Sequence, residues 1–387
     1  MADRLRVMIS CGEPSGDLYA GALAAEILKL EPSAAITGFG SERLRAAGAS
    51  LVRDFKGLSV TGLTEAVRVI PRSWQNYRAL LRSADGERPD VFVPIDFPDF
   101  NFFLARALHK RGIPIAYYIS PQLWAWRRGR LRTMRRVADR VLVIFPFEQA
   151  FYEEAGVPAT FVGHPLLELS PPPAPREAFL RAHGLDPARP VIAMLPGSRR
   201  NELRTILPDL VRTAGIIAER LPAAQFVLAR APHLEDRLFT PLSDWPSAVA
   251  KPLVIEDATD AVLASADVAV VASGTVTIQA ALHGCPMVVV YRVAPLTYTL
   301  GKPLLHVDTY AMVNLVAGRR VVPELIQDAF TPEATAAEAL RVLTDASHAA
   351  AVRRDLAAVR AKLGSAGASR RAAEAVIELA TARKRKD

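Results

Sequence analysis

Short apolar runs rich in β-branched residues alternate along this chain with longer segments whose apolar residues recur every three to four positions. The short runs predict strands, and the longer segments predict helices. Regular alternation of the two is typical of βα units on a parallel sheet, so we expect an α/β protein. The predicted strands are Leu5–Ser10, Ala35–Phe39, Val91–Ile95, Pro114–Ile119, Arg140–Phe145, Thr160–Val162, Val191–Leu195, Gln225–Ala229, Pro252–Ile255, Val268–Ala272 and Met287–Tyr291.

Helical patterns fall between these runs, and an alanine-rich pattern fills the C-terminal part of the chain. We expect that last region to be helical throughout. The predicted helices are Leu18–Leu30, Ser41–Ala47, Arg72–Arg82, Phe100–Arg111, Phe147–Ala155, Glu202–Ala218, Ala258–Ala264, Thr275–Leu282 and the region Pro332–Ala382.

The proline-rich segment 170–175 (SPPPAP) interrupts the alternation, which then restarts. Consecutive prolines form a stiff extended connector, because proline fits neither a helix interior nor a central strand. We therefore predict domains at 1–169 and 176–364, followed by a C-terminal helix and basic tail at 365–387. Two similar α/β halves predict a small-molecule site in a cleft between them.

Several classes of protein are disfavoured by what the sequence lacks. No uninterrupted apolar run reaches the roughly 18 residues of a membrane-spanning helix, and the first residues lack the apolar core of a signal peptide. Cys11 and Cys285 are the only cysteines. They suit a reducing compartment, and the histidines show no metal-ligand spacing, so we expect neither a disulfide nor a metal.

The formal net charge of +8 indicates partners that carry phosphate. Part of the excess is concentrated in two places, the arginine-rich segment 127–136 and the tail 383–386. A terminal run of like charges is usually solvated, so we assign the tail no function.

The loop 12–17 (GEPSGD) directly follows a predicted strand and precedes a predicted helix. Its glycines permit a sharp turn, and the first turn of a helix offers unpaired N–H groups to a polar ligand. The alternative is that Ser15 or Asp17 simply caps the helix. Because capping needs one polar residue and this loop supplies three, the pattern favours a ligand site.

Two loops of the second half resemble it in position. Pro196–Arg199 and Ser273–Thr275 each follow an apolar strand, and glycine, hydroxyl groups and Arg199 suit a diphosphate. Gln279, one helical turn further on, is placed to reach a ribose hydroxyl. Neither loop matches the P-loop or the dinucleotide-binding fingerprint.

In the first half, Asp96 ends an apolar strand between aromatic residues, where partial desolvation favours a general base. Asp99 precedes a predicted helix and is expected to be its N-cap. Trp124 and Trp126 either pack a sugar face or acyl chain or belong to the core. His164 is either a satisfied polar residue or a substrate contact.

The segment 58–82 mixes apolar residues such as Ile70 and Trp74 with arginines. This mixture suits a helix lying on an anionic membrane, but an ordinary amphipathic helix covering a sheet has the same pattern. The sequence leaves both open, and it leaves open whether 58–82 or 124–136 makes any membrane contact.

Taken in order, the motifs resemble those of the lipid-A-disaccharide synthase family, from about Val7 to Gln327. Each motif alone is weak, but their joint order makes chance agreement implausible. The motifs are GEPSGD at 12–17, PDVFVPIDFPDFN at 89–101, YYISPQLWAWR at 117–127, FPFE at 145–148, GHP at 163–165, LPGSR at 195–199, ASGT at 272–275 and NLVAGR at 314–319.

The resemblance implies a GT-B glycosyltransferase with two Rossmann-like parallel-sheet domains facing across a cleft, and C-terminal helices that cross back to the first domain. The implied reaction transfers 2,3-diacylglucosamine from its UDP conjugate to the 6-hydroxyl of 2,3-diacylglucosamine 1-phosphate, with inversion. The products are the β-1,6-linked lipid A disaccharide 1-phosphate and UDP. The resemblance implies no cofactor, no metal and no nucleic acid, and a cytoplasmic enzyme peripherally bound to the anionic inner membrane. It leaves a homodimer open, and it does not fix the length of the acyl chains.

Residue by residue, the resemblance implies that Asp96 is the catalytic base. Gln279 stands where the family commonly has a glutamate, so we expect ribose to bind less tightly, since an amide has a single acceptor oxygen. The implied acceptor-binding residues are Glu13, Ser15, Asp17, Asp99, Trp124 and Arg127. The implied UDP-binding residues are Gly197, Ser198, Arg199, Ser273, Gly274, Thr275, Gln279, Asn314 and Arg319.

Two rival functions remain. Another GT-B enzyme acting on UDP-N-acetylglucosamine, such as a peptidoglycan glycosyltransferase or a UDP-sugar 2-epimerase, would share these loops. A nucleic-acid-binding protein would use the arginines of 127–136 and the two tryptophans for phosphate and stacking contacts. The second rival is disfavoured because it leaves the diphosphate-type loops and the carboxylates without a role.

Overall fold

A computed structural model describes residues 4–55, 63–125, 128–170, 172–232, 234–293 and 309–384. The chain forms two compact units. The first unit comprises Met1–Glu168 and Leu363–Asp387, and the second unit comprises Leu169–Lys362. Within the described ranges, no helix is both long enough and apolar enough to cross a membrane.

Strands and helices alternate along most of both units, as expected for α/β folds. The strands are β1 (Arg6–Ser10), β2 (Ala35–Gly40), β3 (Ser50–Asp54), β4 (Val91–Pro94), β5 (Ala116–Tyr118), β6 (Arg140–Val143), β7 (Ala159–Phe161), β8 (Val191–Leu195), β9 (Gln225–Arg230), β10 (Leu253–Glu256), β11 (Val268–Ala272), β12 (Met287–Tyr291) and β13 (Glu324–Ile326). The helices are α1 (Pro14–Leu30), α2 (Glu42–Ala46), α3 (Leu63–Glu87), α4 (Pro98–His109), α5 (Leu131–Val137), α6 (Pro146–Glu154), α7 (Leu166–Leu169), α8 (Arg176–Ala182), α9 (Arg200–Arg220), α10 (Thr259–Ser265), α11 (Val276–Leu282), α12 (Met312–Ala317), α13 (Pro332–Thr344), α14 (Ala346–Lys362) and α15 (Ala368–Lys384).

In the first unit, β3, β2, β1 and β4 form a parallel sheet in that order. Two parallel bridges, from Phe92 to Ile115 and from Ile95 to Tyr118, continue it towards β5, β6 and β7. Because the chain runs from β1 outwards to β3 and then crosses to β4 on the other side, the strand order reverses between β1 and β4. In doubly wound sheets, ligands bind outside the carboxyl ends of strands at this switch point.

The second unit repeats the arrangement in one parallel sheet, in the order β10, β9, β8, β11, β12, β13. Its switch point lies between β8 and β11. Both strands are buried along their whole length, as expected for central parallel strands with helices on both faces. The strands predicted at Val191–Leu195, Val268–Ala272 and Met287–Tyr291 are confirmed residue for residue.

The C-terminal region is helical, as predicted, but the prediction of an unbroken helical region is wrong. It forms three helices, which are interrupted at Asp345 and at 363–367. Asp345 accepts a hydrogen bond from the backbone N–H of His348, at 2.9 Å, at the start of α14. Gly364 and Gly367 both have positive φ angles, which α-helix excludes.

The last helix, α15, belongs to the first unit and packs against α1. Glu168 holds its beginning, because the two carboxylate oxygens accept hydrogen bonds from the backbone N–H groups of Gly367 and Ser369. Arg371 adds a hydrogen bond to the carbonyl oxygen of Val162, at 2.8 Å. The expectation that the C-terminal helices return to the first half is met by α15, whereas α13 and α14 stay in the second unit.

Candidate functional site

Two loops of the first unit leave neighbouring strand ends at its switch point. The register of β1 and β4 pairs Ser10 with Pro94, so the loops that follow begin side by side. A Cβ atom on Gly12 would overlap the ring of Phe97. The sequence therefore needs glycine at residue 12 because the aromatic ring of the second loop packs directly on the backbone of the first.

The second loop holds Asp96 in an unusual conformation. Asp96 and Phe97 have φ angles of 42° and 48°, in the left-handed region that residues other than glycine rarely adopt. The carbonyl oxygen of Asp96 accepts hydrogen bonds from the Asn101 amide (2.8 Å) and the Tyr117 hydroxyl (3.0 Å). These two bonds fix the backbone beneath a half-buried carboxylate, and such strain is characteristic of functional sites.

Further titratable groups surround Asp96. Burial, reinforced by the negative charge of Asp96, raises the pKa of the Tyr19 phenol, which therefore keeps its proton. Burial also raises the pKa of Glu148 to about 7, although hydrogen bonds from Trp124 and the backbone of Phe145 oppose the shift. Asp96 thus lies close to a protonated hydroxyl group and to a second carboxyl group whose charge is expensive to bury.

Asp17 is buried and fully engaged within the protein. Its carboxylate accepts hydrogen bonds from the backbone N–H groups of Ser41 (2.6 Å), Arg43 (2.8 Å) and Leu44 (3.4 Å). It therefore caps α2 rather than its own helix, and the alternative that it caps the helix that follows its loop is wrong. Glu13 is the N-cap position of α1 without a side-chain capping bond, and Ser15 lies within the first turn, half-buried.

Asp99 is not the N-cap of its helix, contrary to the prediction. Helix α4 begins at Pro98, and Phe97 occupies the N-cap position. Asp99 lies in the first turn, where its carboxylate forms an ion pair with Arg130. The guanidinium of Arg130 also lies over the ring of Phe102, 5.5 Å from its centroid. One arginine of the basic segment is thus tied to α4.

Trp124 is buried within the first unit, where its indole N–H donates to the Glu148 carboxylate at 3.0 Å. Its ring meets Phe147 edge to face. This favours the core interpretation for Trp124, whereas Trp126 and Arg127 lie outside the described residues.

His164 is fully buried, and burial lowers its pKa to about 3, so the ring is neutral. Its Nδ1 accepts a hydrogen bond from the backbone N–H of Leu166, at 3.2 Å. These observations favour the interpretation of His164 as a satisfied polar residue.

In the second unit, the register of β8 and β11 pairs Leu195 with Val271, so its two loops also begin side by side. Gly197 has a φ of 114°, and the side chain of Glu202 occupies the space that a Cβ atom would need. The Glu202 carboxylate accepts the backbone N–H groups of Ser198 (2.9 Å) and Arg199 (3.1 Å). These two amides are therefore engaged within the protein. The side chains of Ser198 and Arg199 are exposed, and the Arg199 guanidinium pairs with Glu202 at 3.5 Å.

The loop Ser273–Thr275 is more open. A Cβ atom on Gly274 would meet nothing within 4 Å, and Thr275 is exposed. The Ser273 hydroxyl donates to the carbonyl oxygen of Tyr310, at 3.4 Å. Within the described ranges, no hydrogen bond engages the N–H groups of Gly274 and Thr275. This loop can approach a polar ligand closely through its backbone.

Asn314 is buried and saturated with hydrogen bonds. Its amide donates to the carbonyl oxygen of Val322 (3.0 Å) and to Glu324 (2.7 Å), and its oxygen accepts the N–H groups of Val321 and Val322. Glu324 also accepts the backbone N–H of Tyr310, at 2.8 Å. A direct contact between the Asn314 side chain and UDP would break one of these bonds. The geometry instead gives Asn314 a structural part: it holds Glu324, which holds Tyr310, whose carbonyl oxygen accepts from Ser273.

The remaining two predicted UDP residues differ in their surroundings. Gln279 is half-buried one turn into α11, and its backbone N–H bonds to the carbonyl oxygen of Thr275. Arg319 is exposed and pairs with Asp355 of α14, at 2.6 Å. In the described part of the chain, no group of three or more histidine, cysteine, aspartate or glutamate residues could hold a metal ion.

Sequence reasoning missed several residues that build these loops. Asn101 lies inside the motif 89–101, and its place in that motif, on the helix that follows Asp96, is the signal that could have pointed to it. Glu202 is buried and Glu324 is half-buried, and both accept hydrogen bonds from backbone N–H groups. Nothing in the sequence shows which N–H groups these are.

Comparison with known proteins identifies the chain's relatives. A family model described as "Lipid-A-disaccharide synthetase" matches residues 7–379. A "Lipid-A-disaccharide synthase" of Koribacter versatilis is 45% identical, covering 97% of this chain and 99% of that protein. A protein of the same description from Myxococcus xanthus is 42% identical, covering 98% of each chain.

Solved structures with little sequence similarity share the fold. A UDP-GlcNAc 2-epimerase from Neisseria meningitidis, solved with UDP-GlcNAc, has a TM-score of 0.66 at 13% identity and covers 97% of this chain and 100% of its own. The glycotransferase of kitacinnamycin has a TM-score of 0.61 at 21% identity, covering 98% and 100%. The expectation of a GT-B fold is confirmed. By its sequence, the chain belongs to the lipid-A-disaccharide synthase family of glycosyltransferases.

Proposed function

We propose that this protein joins two acylated glucosamines, using UDP-2,3-diacylglucosamine as donor and 2,3-diacylglucosamine 1-phosphate as acceptor. The 6-hydroxyl oxygen of the acceptor attacks the anomeric carbon of the donor and loses its proton. The bond from that carbon to the diphosphate breaks, and UDP leaves with the electron pair. The product is the β-1,6-linked disaccharide, with inverted anomeric configuration.

One observation carries the assignment of the base. Asp96 lies at the switch point of the first unit, and two hydrogen bonds hold its backbone in a strained conformation. A carboxylate fixed in this way is preorganised to accept the hydroxyl proton. Glu13 and Ser15, on the neighbouring loop, are the proposed contacts to the acceptor sugar. Asp17, Asp99 and Trp124 act by shaping these loops, because their polar groups already bind the protein.

The second unit supplies the proposed UDP site. The exposed side chains of Ser198 and Arg199 suit the diphosphate, whose charge grows as UDP departs. Gly274 and Thr275 offer backbone N–H groups next to open space. Gln279 is the proposed ribose contact, and Arg319 would have to leave Asp355 to reach the nucleotide.

The acyl-donor assay tests this function. The protein is incubated with the acylated acceptor and either UDP-2,3-diacylglucosamine or UDP-N-acetylglucosamine, and the products are analysed by mass spectrometry. We expect the acylated disaccharide and UDP from the first donor only. A disaccharide from the non-acylated donor, or its conversion to an epimer, would contradict the proposal and favour the rival GT-B functions.

We also propose that one face of α3 contacts an anionic membrane. Ala79, Leu80 and Ala84 form its buried face, yet Ile70 and Trp74 are 61% and 53% exposed. Packing of α3 against a sheet would explain why Ala79, Leu80 and Ala84 are apolar, but it does not explain the exposed Ile70 and Trp74. Exposed apolar side chains among arginines are typical of interfacial helices. Three arginines of this helix, Arg72, Arg78 and Arg82, are exposed as well.

Sedimentation with liposomes containing anionic lipid tests the membrane contact. The double variant Ile70→Ser/Trp74→Ser should lose most of its binding, since both side chains would insert among the acyl chains. Val254→Ser removes an apolar side chain that is 41% exposed in the second unit, and it serves as the matched control. Equal binding by both variants would place the membrane contact elsewhere.

A further inference from the structure

Three polar side chains of the second unit meet beside the proposed ribose contact. Asp260, near the start of α10, receives a hydrogen bond from the Gln279 amide nitrogen through Oδ2, at 3.3 Å. Its other oxygen, Oδ1, lies 2.7 Å from Nε2 of His283. The side chains of His283 and Asp260 are 8% and 21% exposed. Both carboxylate oxygens are therefore engaged in a partly desolvated cluster.

The chemistry of the carboxylate fixes the direction of the Gln279 amide. An ionised carboxylate only accepts hydrogen bonds, so the NH₂ group must face Asp260 and the carbonyl oxygen must face the other way. Among the described residues, that oxygen accepts no hydrogen bond. His283 donates to the same carboxylate, and it keeps Asp260 in place. The cluster thus presents one unused acceptor atom, a single turn along α11 from Thr275.

We propose that Asp260 is a positioning residue, held by His283, that turns Gln279 so that its Oε1 accepts a ribose hydroxyl of UDP. The inference rests on the proposed UDP site. It names the ribose as the part of the ligand whose recognition depends on Asp260. Asp260 contributes the negative charge of the cluster, whereas the neutral Gln279 makes the contact.

Asp260→Asn tests this directly, because it replaces the acceptor that faces Gln279 by an NH₂ group. The remaining oxygen of the new amide would still accept from His283. Gln279 would then turn its own oxygen towards that NH₂ group and lose the acceptor for ribose. We expect UDP affinity, measured by calorimetry on the full chain, to fall about tenfold.

A glutamate at 279 would have more acceptor oxygens for ribose, but in this chain it would lie within hydrogen-bond distance of the Asp260 carboxylate. We therefore expect Gln279→Glu to weaken UDP binding as well, contrary to the expectation from the resemblance. Combining the two changes restores every donor–acceptor pair. His283 donates to the oxygen of the introduced amide, and the NH₂ group of that amide donates to the introduced carboxylate. We therefore expect the double variant to bind UDP within about threefold of the wild-type chain, a departure from additivity that a double-mutant cycle detects.

Deoxy analogues separate this role from a merely structural one. UDP analogues that lack the 2′-hydroxyl or the 3′-hydroxyl are titrated in parallel, and the thermal midpoint of each variant is recorded. For the analogue that lacks the contacted hydroxyl, Asp260→Asn and the wild-type chain should bind equally. If Asp260→Asn does not fold, Gln279→Glu and the double variant carry the comparison.

The inference is overturned if the wild-type chain binds UDP and Asp260→Asn binds it equally well, or if the variant loses the same factor for UDP and both deoxy analogues. A double variant that binds no better than Gln279→Glu also overturns it. A wild-type chain that binds no UDP at all would remove the proposed function, and this inference with it.

Discussion

The switch points of the two units occupy the same place in their sheets, but they are built differently. In the first unit, the Phe97 ring packs on the backbone of Gly12, and hydrogen bonds from Asn101 and Tyr117 fix the backbone of Asp96. In the second unit, the loop at Gly274 has open space around it, and the loop that begins beside it carries the exposed side chains of Ser198 and Arg199.

This difference matches the chemical tasks we propose. A base must be held within a few tenths of an ångström of its working position, so a packed loop with a strained backbone suits it. A diphosphate is large and strongly charged, so an open loop with an exposed cationic side chain suits it better. On this proposal, one topology supports a rigid proton acceptor in one unit and an open anion site in the other.

The largest effect is expected from Asp96→Asn, which retains the size of the side chain but removes its basicity. Turnover in the acyl-donor assay should fall about a thousandfold, within the range of about a hundred- to ten-thousandfold for the loss of a general base. Asp85→Asn, at an exposed carboxylate of the same unit that pairs with Arg111, is the matched control and should retain turnover. Substantial activity in Asp96→Asn would remove Asp96 from the mechanism.

Arg199→Ala tests the second unit. We expect kcat/KM to fall about a hundredfold, because the departing diphosphate loses a positioned cation. Both arginines pair within the protein, Arg199 with Glu202 and Arg200 with Glu235, and Arg200 is not among the proposed UDP contacts, so Arg200→Ala provides the control. Equal losses in both variants would show that only the general positive charge of this loop matters.

The elements that sequence predicted best are those whose surroundings are uniform. β8, β11 and β12 are continuous apolar runs because helices cover both faces of the sheet. The sequence therefore predicts both the strands and their first and last residues. β3 (Ser50–Asp54) and β13 (Glu324–Ile326) were missed, since edge strands keep partly exposed polar residues.

Of the site, the loops were predictable from their place after strands. The partners of Asp17 and Asn314 were not, because they are backbone groups that only the tertiary fold brings near.

A pair of glycine substitutions sharpens the contrast between a packed loop and an open one. Gly12→Ala should destabilise the protein by about 1–3 kcal/mol, since its Cβ would overlap the Phe97 ring. Gly274→Ala meets no neighbouring atom and should leave the free energy of unfolding nearly unchanged.

Chemical denaturation measures both free energies, and UDP titration completes the comparison. Gly274→Ala should weaken UDP binding although it does not destabilise the protein, because its methyl group enters the proposed ligand space. Equal stability losses in the two variants would contradict the difference in packing.

A pH-dependent effect on stability is expected at Glu148, whose pKa burial raises from 4.5 to about 7. Between these values the folded state keeps a proton that the unfolded state has lost. Glu148 therefore makes stability fall as pH rises from about 4.5 to about 7, by at most about 1.4 kcal/mol per pH unit.

Glu148→Gln removes this contribution, so its stability relative to the wild-type chain should rise with pH across that window. A constant offset is also expected, since the new NH₂ group faces donors. Denaturation at a series of pH values measures the difference, with Glu154→Gln, at the end of the same helix, as control. A difference that does not change with pH would contradict the assignment.

The most direct test of the division of labour is the UDP dissociation constant of Asp96→Asn, measured by calorimetry beside that of Arg199→Ala. We predict that Asp96→Asn binds UDP within about twofold of the wild-type chain, whereas Arg199→Ala binds it at least about tenfold more weakly. A loss of UDP affinity in Asp96→Asn as large as that in Arg199→Ala would contradict the separate roles of the two units.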